Sequence, residues 1–327
     1  MNEPINPARS TVRPSYATAN LFMLFLLSYN ILMVAAIGHL YREVWHGTFM
    51  GEFFSSPWFL MAYQVAGLLL PLSIFCAFSG EKFIKKASAI RLGVKLDPKN
   101  IFLIIALSIL LQPFMMLVSA VGSLFLPNPV TDMIEGLAVL PIPAAIIIIA
   151  FTPAILEELV FRGFIQSHYE GQPIAVTAVV NGLFFGIIHM SLHQFTYAFA
   201  MGIVFAVMVY YTRSVFSAIL GHFVVNASQY IMGYLAIHHL DSINPGGAYP
   251  LDSSPGHADF IEAIGALGVL SLLILPIVVG LFYAFVKHNR QMYPVEEKEQ
   301  EPLRYPFDAA FFAVVAIYVV VMVGLLM

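Results

Sequence analysis

A single cysteine, Cys76, in 327 residues rules out a disulfide framework within the chain and a cysteine-based metal site. Charge is scarce as well: Asp, Glu, Lys and Arg make up 10% of the chain, against about a quarter in an ordinary soluble domain. With 60% hydrophobic residues and a mean hydropathy of +0.84, that shortage excludes a typical water-soluble fold. No loop mixes a basic patch with aromatic residues, so nucleic acid is not an indicated partner. The alternating segments of about ten residues that build a membrane β-barrel are also missing. The chain has instead repeated apolar runs of about 20 residues, the length a helix needs to cross roughly 30 Å of hydrocarbon. The expected fold is therefore all-α, a polytopic transmembrane helix bundle of eight to nine spans.

Nine spans can be placed, at about 19–40, 58–78, 101–126, 139–168, 174–192, 196–211, 215–237, 260–286 and 309–327. Pro71, Pro113 and Pro276 are expected to kink these helices rather than end them, because neighbouring helices can satisfy the freed carbonyls. The apolar run behind MNEPINPARSTVRPSY is too long for a signal peptide and reads as a retained first span.

Orientation follows from the basic residues, which concentrate in cytoplasmic loops. With the N-terminus inside, alternate loops collect Arg9, Arg13, Lys82, Lys85, Lys86, Arg91, Lys95, Lys99, Arg213, Lys287, Arg290, Lys298 and Arg304, which is 13 of the 15 basic residues. The opposite loops hold only Arg42, and Arg162 lies within a span. The loop 238–259, with His238, His239, Asp241, Asp252, His257 and Asp259 but no Lys or Arg, then falls outside. The acidic EEKEQE at 296–301 reads as a solvated loop. The chain forms one membrane domain, 1–327, in which helices over 139–237 carry the polar clusters and 1–138 and 238–327 flank them.

Those clusters are Glu157, Glu158 and Arg162 in ILEELVFRGF, His189 in FFGIIHM, and His222 with Asn226 in GHFVVNA. An ionisable group inside a span costs at least a few kcal/mol, so each is a functional candidate. In an α-helix, residues four apart share a face. Glu158 and Arg162 are thus expected to form an ion pair, while Glu157 points elsewhere without a local cation and is free to act as a general base or acid. His222 and Asn226 share a face too, and two donors aimed at one point suit a developing oxyanion. His189 shares a face with Phe185, and Gly182 with Gly186 makes a small-xxx-small pattern that allows close helix approach. At 1.5 Å per residue, Glu157, His189 and Asn226 lie roughly 20, 23 and 18 Å from loops on one side, and His222 roughly 12 Å, compatible with one site near mid-bilayer.

EELVFR, FGIIH and HFVVN match Glu-Glu-x-x-x-Arg, Phe-x-x-x-His and His-x-x-x-Asn in order and helical context. In this the chain resembles the CAAX protease and bacteriocin-processing (Abi) family of glutamic intramembrane endopeptidases. Phe199, Gly202, Thr212 and Ser214 look like the family's weaker positions, and the resemblance covers about 145–230. It implies an intramembrane endopeptidase in which Glu157, helped by His189, activates a water. His222 and Asn226 would stabilise the oxyanion, and Glu158 with Arg162 would support the site. It also implies no cofactor, no covalent acyl intermediate, and a membrane-associated peptide or protein substrate, of the prenylated CAAX type or of a bacteriocin or signal type. The implied location is integral to the membrane, in a bacterial cell membrane.

Three other readings compete. Glu157, His189 and His222 form a two-His-one-carboxylate set that could hold zinc in a membrane metalloprotease. His193, four residues after His189, completes no zincin motif because HMSLH lacks a Glu after the first His, and neutral Asn226 suits an oxyanion better than a metal. The same ionisable residues could relay protons or ions in a transporter. A catalytically silent immunity or scaffold protein is the third.

Overall fold

The computed structural model describes residues 16–80, 94–243, 257–293 and 306–326. Arg9, Arg13, Lys82, Lys85, Lys86, Arg91, Lys298, Arg304, the acidic 296–301 stretch, and the loop 238–259 apart from its helical ends at 238–243 and 257–259 lie outside the described residues.

Among the described residues every regular element is helical: α1 Tyr16–Leu40, α2 Phe49–Phe54, α3 Pro57–Ser79, α4 Pro98–Leu110, α5 Gln112–Ser123, α6 Pro129–Leu137, α7 Ile142–Ile146, α8 Thr152–Glu158, α9 Ile174–Ile188, α10 Leu192–Thr212, α11 Phe216–Ile243, α12 His257–Met292 and α13 Ala309–Leu326. Among the described residues, six helical stretches are long and apolar enough to cross a membrane: Tyr16–Trp45, Pro57–Ser79, Pro98–Ser123, Ile142–Tyr169, Leu192–Thr212 and Phe260–Met292. Three expected spans are not among these six. Helices α9 and α13 are apolar but short, and α11 carries Ser217, His222, Asn226, Ser228 and Gln229 along its length.

Proline acts in two ways. Pro71 and Pro276 sit inside α3 and α12 without ending them. Pro113 stands in the first turn of α5, just past the break at Leu111 that divides α4 from α5, because a first-turn proline withholds no hydrogen bond that the helix needs.

The stretch 142–169 departs from a plain α-helix. A π turn at Ile147–Phe151 separates α7 from α8, a second at Leu159–Ile165 follows α8, and a 3-10 turn at Gln166–Tyr169 ends it. Wider π turns inside helices often occur at functional sites. This stretch lies at the centre of the bundle, with 56% of its apolar window buried against 11% for the peripheral Phe260–Met292. Phe161 and Phe164 pack with Phe22 of α1 and Phe184 of α9 in one core. Ile148 and Ile149 pack with Ala227 and Tyr230 of α11 in another.

Helices α9 and α10 touch at backbone distance. A Cβ on Gly202 would stand 2.6 Å from Gly182 Cα, and one on Gly182 would stand 2.7 Å from the Phe199 carbonyl oxygen. The neighbour in each case is backbone and cannot move aside. Gly202→Ala is therefore expected to separate the helices and destabilise the protein by about 1–3 kcal/mol, read as a lower midpoint of thermal unfolding in detergent. Gly280→Ala, where an added Cβ meets no atom within 4 Å, is the control expected to leave the midpoint in place.

The start of α4 is tied to the end of α12. Asp97 caps α4 by accepting from the Lys99 and Asn100 backbone N–H groups, and His288 Nε2 lies 3.2 Å from its Oδ1. Asn100 and Asn289 exchange amide hydrogen bonds of 2.9 and 2.7 Å. Burial pushes the Asp97 carboxyl up, but the Asn100 bonds and His288 outweigh it and hold it below the usual carboxylate range. A depressed carboxylate contributes stability that is present above its unfolded value and is lost as pH falls through the lowered folded value. Hydrogen exchange at the C-terminal end of α12 is thus expected to rise in that acid window, and Asp97→Asn to remove the pH dependence.

Candidate active site

Glu158 ends α8, where the helix begins to widen. Its Oε1 accepts from Arg162 Nη1 at 2.8 Å, as the four-residue spacing predicts, and both side chains are fully buried. The same oxygen also meets His222 Nδ1 of α11 at 2.8 Å, which helical phase within a single segment could not reveal. His222 Nε2 in turn lies 3.1 Å from Asn226 Nδ2, and Asn226 Nδ2 donates to the Ile149 carbonyl at 3.0 Å. These bonds assign His222 its tautomer: Nδ1 carries the proton toward the carboxylate and Nε2 accepts from the amide. Arg162, Glu158, His222 and Asn226 form one connected network, so the pair read as scaffolding also orients the pair read as oxyanion donors.

Arg162 uses both of its terminal nitrogens, while its Nε is buried without a hydrogen-bond partner among the described residues. Nη2 donates to the Gly202 carbonyl at 3.1 Å, and the guanidinium carbon lies 4.4 Å from the Phe185 ring centre and 5.4 Å from that of Phe205. Phe205 stacks on the His222 ring at 5.4 Å, and Phe185 meets the same imidazole edge-on at 5.8 Å. Two aromatic rings thus hold the cation and the imidazole of the network. Phe185 already stood out as the residue four before His189. Phe205 carries no comparable signal in a chain with 28 phenylalanines.

His189 does not continue its helix. It is the C-cap of α9, its Nδ1 lies 2.6 Å from the Phe185 carbonyl, and Met190 after it takes a left-handed φ of 51°. The helix expected to run to 192 stops at Ile188. An L-residue in that conformation carries strain of the kind that collects at functional sites. His189 joins the other residues through its edge contact with Phe185 at 5.0 Å.

Glu157 stands apart from the hydrogen-bond network. Its Oε2 is buried and takes no hydrogen bond among the described residues, while its charge is felt at Arg162.

The zinc reading needs lone pairs from His189 and His222 together with the Glu157 carboxylate. Both nitrogens of His222 are already engaged, one by Glu158 and one by Asn226. Among the described residues, no group of three or more His, Cys, Asp or Glu side chains is arranged to hold a metal ion.

The minor positions find structural uses. Gly202 supplies the carbonyl under Arg162, and Thr212 and Ser214 build the turn between α10 and α11. There Thr212 Oγ1 donates to the Met208 carbonyl at 2.8 Å and Ser214 Oγ to the Val94 carbonyl at 2.6 Å.

No curated protein and no solved structure matches the chain. Its apolar spans make it an integral membrane protein. Residues 139–228, the segment containing every side chain of this network, match the family model Rce1-like, described as type II CAAX prenyl endopeptidase Rce1-like.

Proposed function

We propose that this protein is a glutamic intramembrane endopeptidase that hydrolyses membrane-associated peptides, the prenylated CAAX type first among them. The observation that carries the reading is the division of labour between adjacent glutamates. Glu158 holds Arg162 and His222 through its Oε1, whereas Glu157 makes no such ion pair; each keeps a buried Oε2 without a partner among the described residues, but only Glu157 is free of the structural bonds that would hold it away from a water.

Glu157 takes a proton from a water that His189 helps to hold, and the water oxygen bonds to the peptide carbonyl carbon. The negative charge that collects on the carbonyl oxygen meets Asn226 Nδ2, which turns a hydrogen from His222 Nε2 to the oxyanion. His222, held by Glu158 through Nδ1, adds a second donor if Nε2 takes a proton from solvent as substrate binds and returns it on product release, Glu158 balancing the imidazolium meanwhile. The proton on Glu157 then passes to the leaving nitrogen, the C–N bond breaks, and a carboxylate and an amine are released. Preorganised donors of this kind are worth roughly 10²–10³ in rate each.

The test is cleavage by purified protein in liposomes, offered a farnesylated peptide ending in a CAAX sequence alongside the unprenylated peptide. Cleavage of the farnesylated peptide that survives a chelator is expected. Cleavage lost to a chelator and restored by zinc would overturn the metal-free mechanism. Ion flux across the liposomes without cleavage would favour a transporter.

A further inference from the structure

Two glutamines in the apolar bundle lie outside the family-matched segment and have no part in the reaction proposed above: Gln64 on α3 and Gln112 at the start of α5. Each places its amide on backbone beside a contact of Asn226. Gln64 Nε2 donates to the Ile148 carbonyl at 3.3 Å, the residue before Ile149, whose carbonyl takes Asn226 Nδ2 at 3.0 Å. Gln112 Nε2 donates to the Val225 carbonyl at 3.2 Å and to Ser228 Oγ at 2.8 Å. Val225 precedes Asn226, and Ser228 Oγ itself donates to the Val224 and Val225 carbonyls at 2.6 and 3.0 Å.

The arrangement is centred on the π turn at Ile147–Phe151. The Ile147 carbonyl keeps a backbone partner there, the Thr152 N–H, and a carbonyl's second lone pair can still take a side-chain donor. Three consecutive carbonyls here each take a side-chain donor from a different helix: Ile147 from Thr152 Oγ1 of α8 at 2.7 Å, Ile148 from Gln64 of α3, and Ile149 from Asn226 of α11. Gln112 holds the other partner, the α11 backbone that carries Asn226. Packing does not account for these amides, because a methionine would fill similar space. Each glutamine also buries its Oε1 without a hydrogen-bond partner among the described residues, a net cost to stability. Buried polar groups that cost stability and hold the two sides of one functional contact point to placement of that contact.

We propose that Gln64 and Gln112 are positioning residues for Asn226, one fixing the carbonyl its amide rests on and the other fixing the helix it stands on. The proposal rests on the peptidase reading, in which Asn226 meets the oxyanion. Misplacing a catalytic group by about 1 Å can cost on the order of 10²-fold in rate. Gln64→Met and Gln112→Met, in the full chain in liposomes with the farnesylated peptide, are each expected to lower kcat by about tenfold or more. KM should stay within about twofold and the unfolding midpoint should not fall. Because they act through Asn226, each should change the residual activity of Asn226→Ala by less than about twofold.

Unchanged kcat in the single variants, an effect confined to KM, an undiminished effect in the Asn226→Ala background, or unfolding of either methionine variant would each overturn the assignment. Wild-type protein that cleaves nothing would instead overturn the peptidase reading, and this inference with it. Wild-type cleavage with kinetically silent glutamines would overturn this inference alone.

Discussion

Glu157→Gln is expected to lower kcat for peptide cleavage by about 10³-fold, inside the roughly 10²–10⁴ range that a positioned base contributes, without lowering the unfolding midpoint. The amide has the shape of the carboxylate but cannot take a proton from water. Glu157 Oε2 accepts no hydrogen bond among the described residues, so the substitution removes no structural contact there. Glu158→Gln separates the two roles: it weakens the bonds to Arg162 and His222 and is expected to lower stability and activity together. The measurement is initial cleavage rate beside thermal unfolding for both variants. A Glu157→Gln protein that cuts at the wild-type rate would remove Glu157 from the chemistry.

Arg162→Met should be the most destabilising single change in the bundle, by about 3–5 kcal/mol, because removing one partner of a buried ion pair leaves the other charge uncompensated. The guanidinium binds the Glu158 carboxylate and the Gly202 carbonyl while lying between the Phe185 and Phe205 rings. Arg162→Lys is expected to recover little, since an ammonium is a point charge without the planar fork that serves both acceptors. Thermal unfolding in detergent reads the effect. Adding Glu158→Gln to Arg162→Met should restore part of the loss, because the stranded charge is then gone. Equal stability of wild type and Arg162→Met would show that the guanidinium is not what holds the central stretch to α10.

The membrane character of the chain was legible in its composition, and the site residues in their types. Glu, Arg, His and Asn inside apolar runs are conspicuous, and a spacing of four paired Glu158 with Arg162 and His222 with Asn226 as the structure does. Helix regularity was the assumption that failed. The run 142–169 contains two π turns, and the helix leading to His189 ends at Ile188. Neither change alters hydropathy, so neither leaves a trace in a pattern of apolar residues. Helices stand at all nine places where spans were expected, but among the described residues only six meet the length and hydropathy of a crossing by themselves; α9 is largely buried and short, and a helix covered by its neighbours need not carry a full 20-residue apolar run.

The sequence by itself determined that this is a helical membrane protein and named the polar groups that pay for their place in it, because burial cost and four-residue spacing are local properties. Only the tertiary structure decided how those groups are connected. That Glu158 oxygen is shared by Arg162 and His222, that Phe205 lies on the imidazole, and that Gln64 and Gln112 reach the backbone around Asn226 all depend on contacts between different helices. Helical phase orders side chains along one segment, whereas the meeting of different helices is set by packing, here by the glycine contact of α9 with α10 and the π turns that re-aim the central stretch.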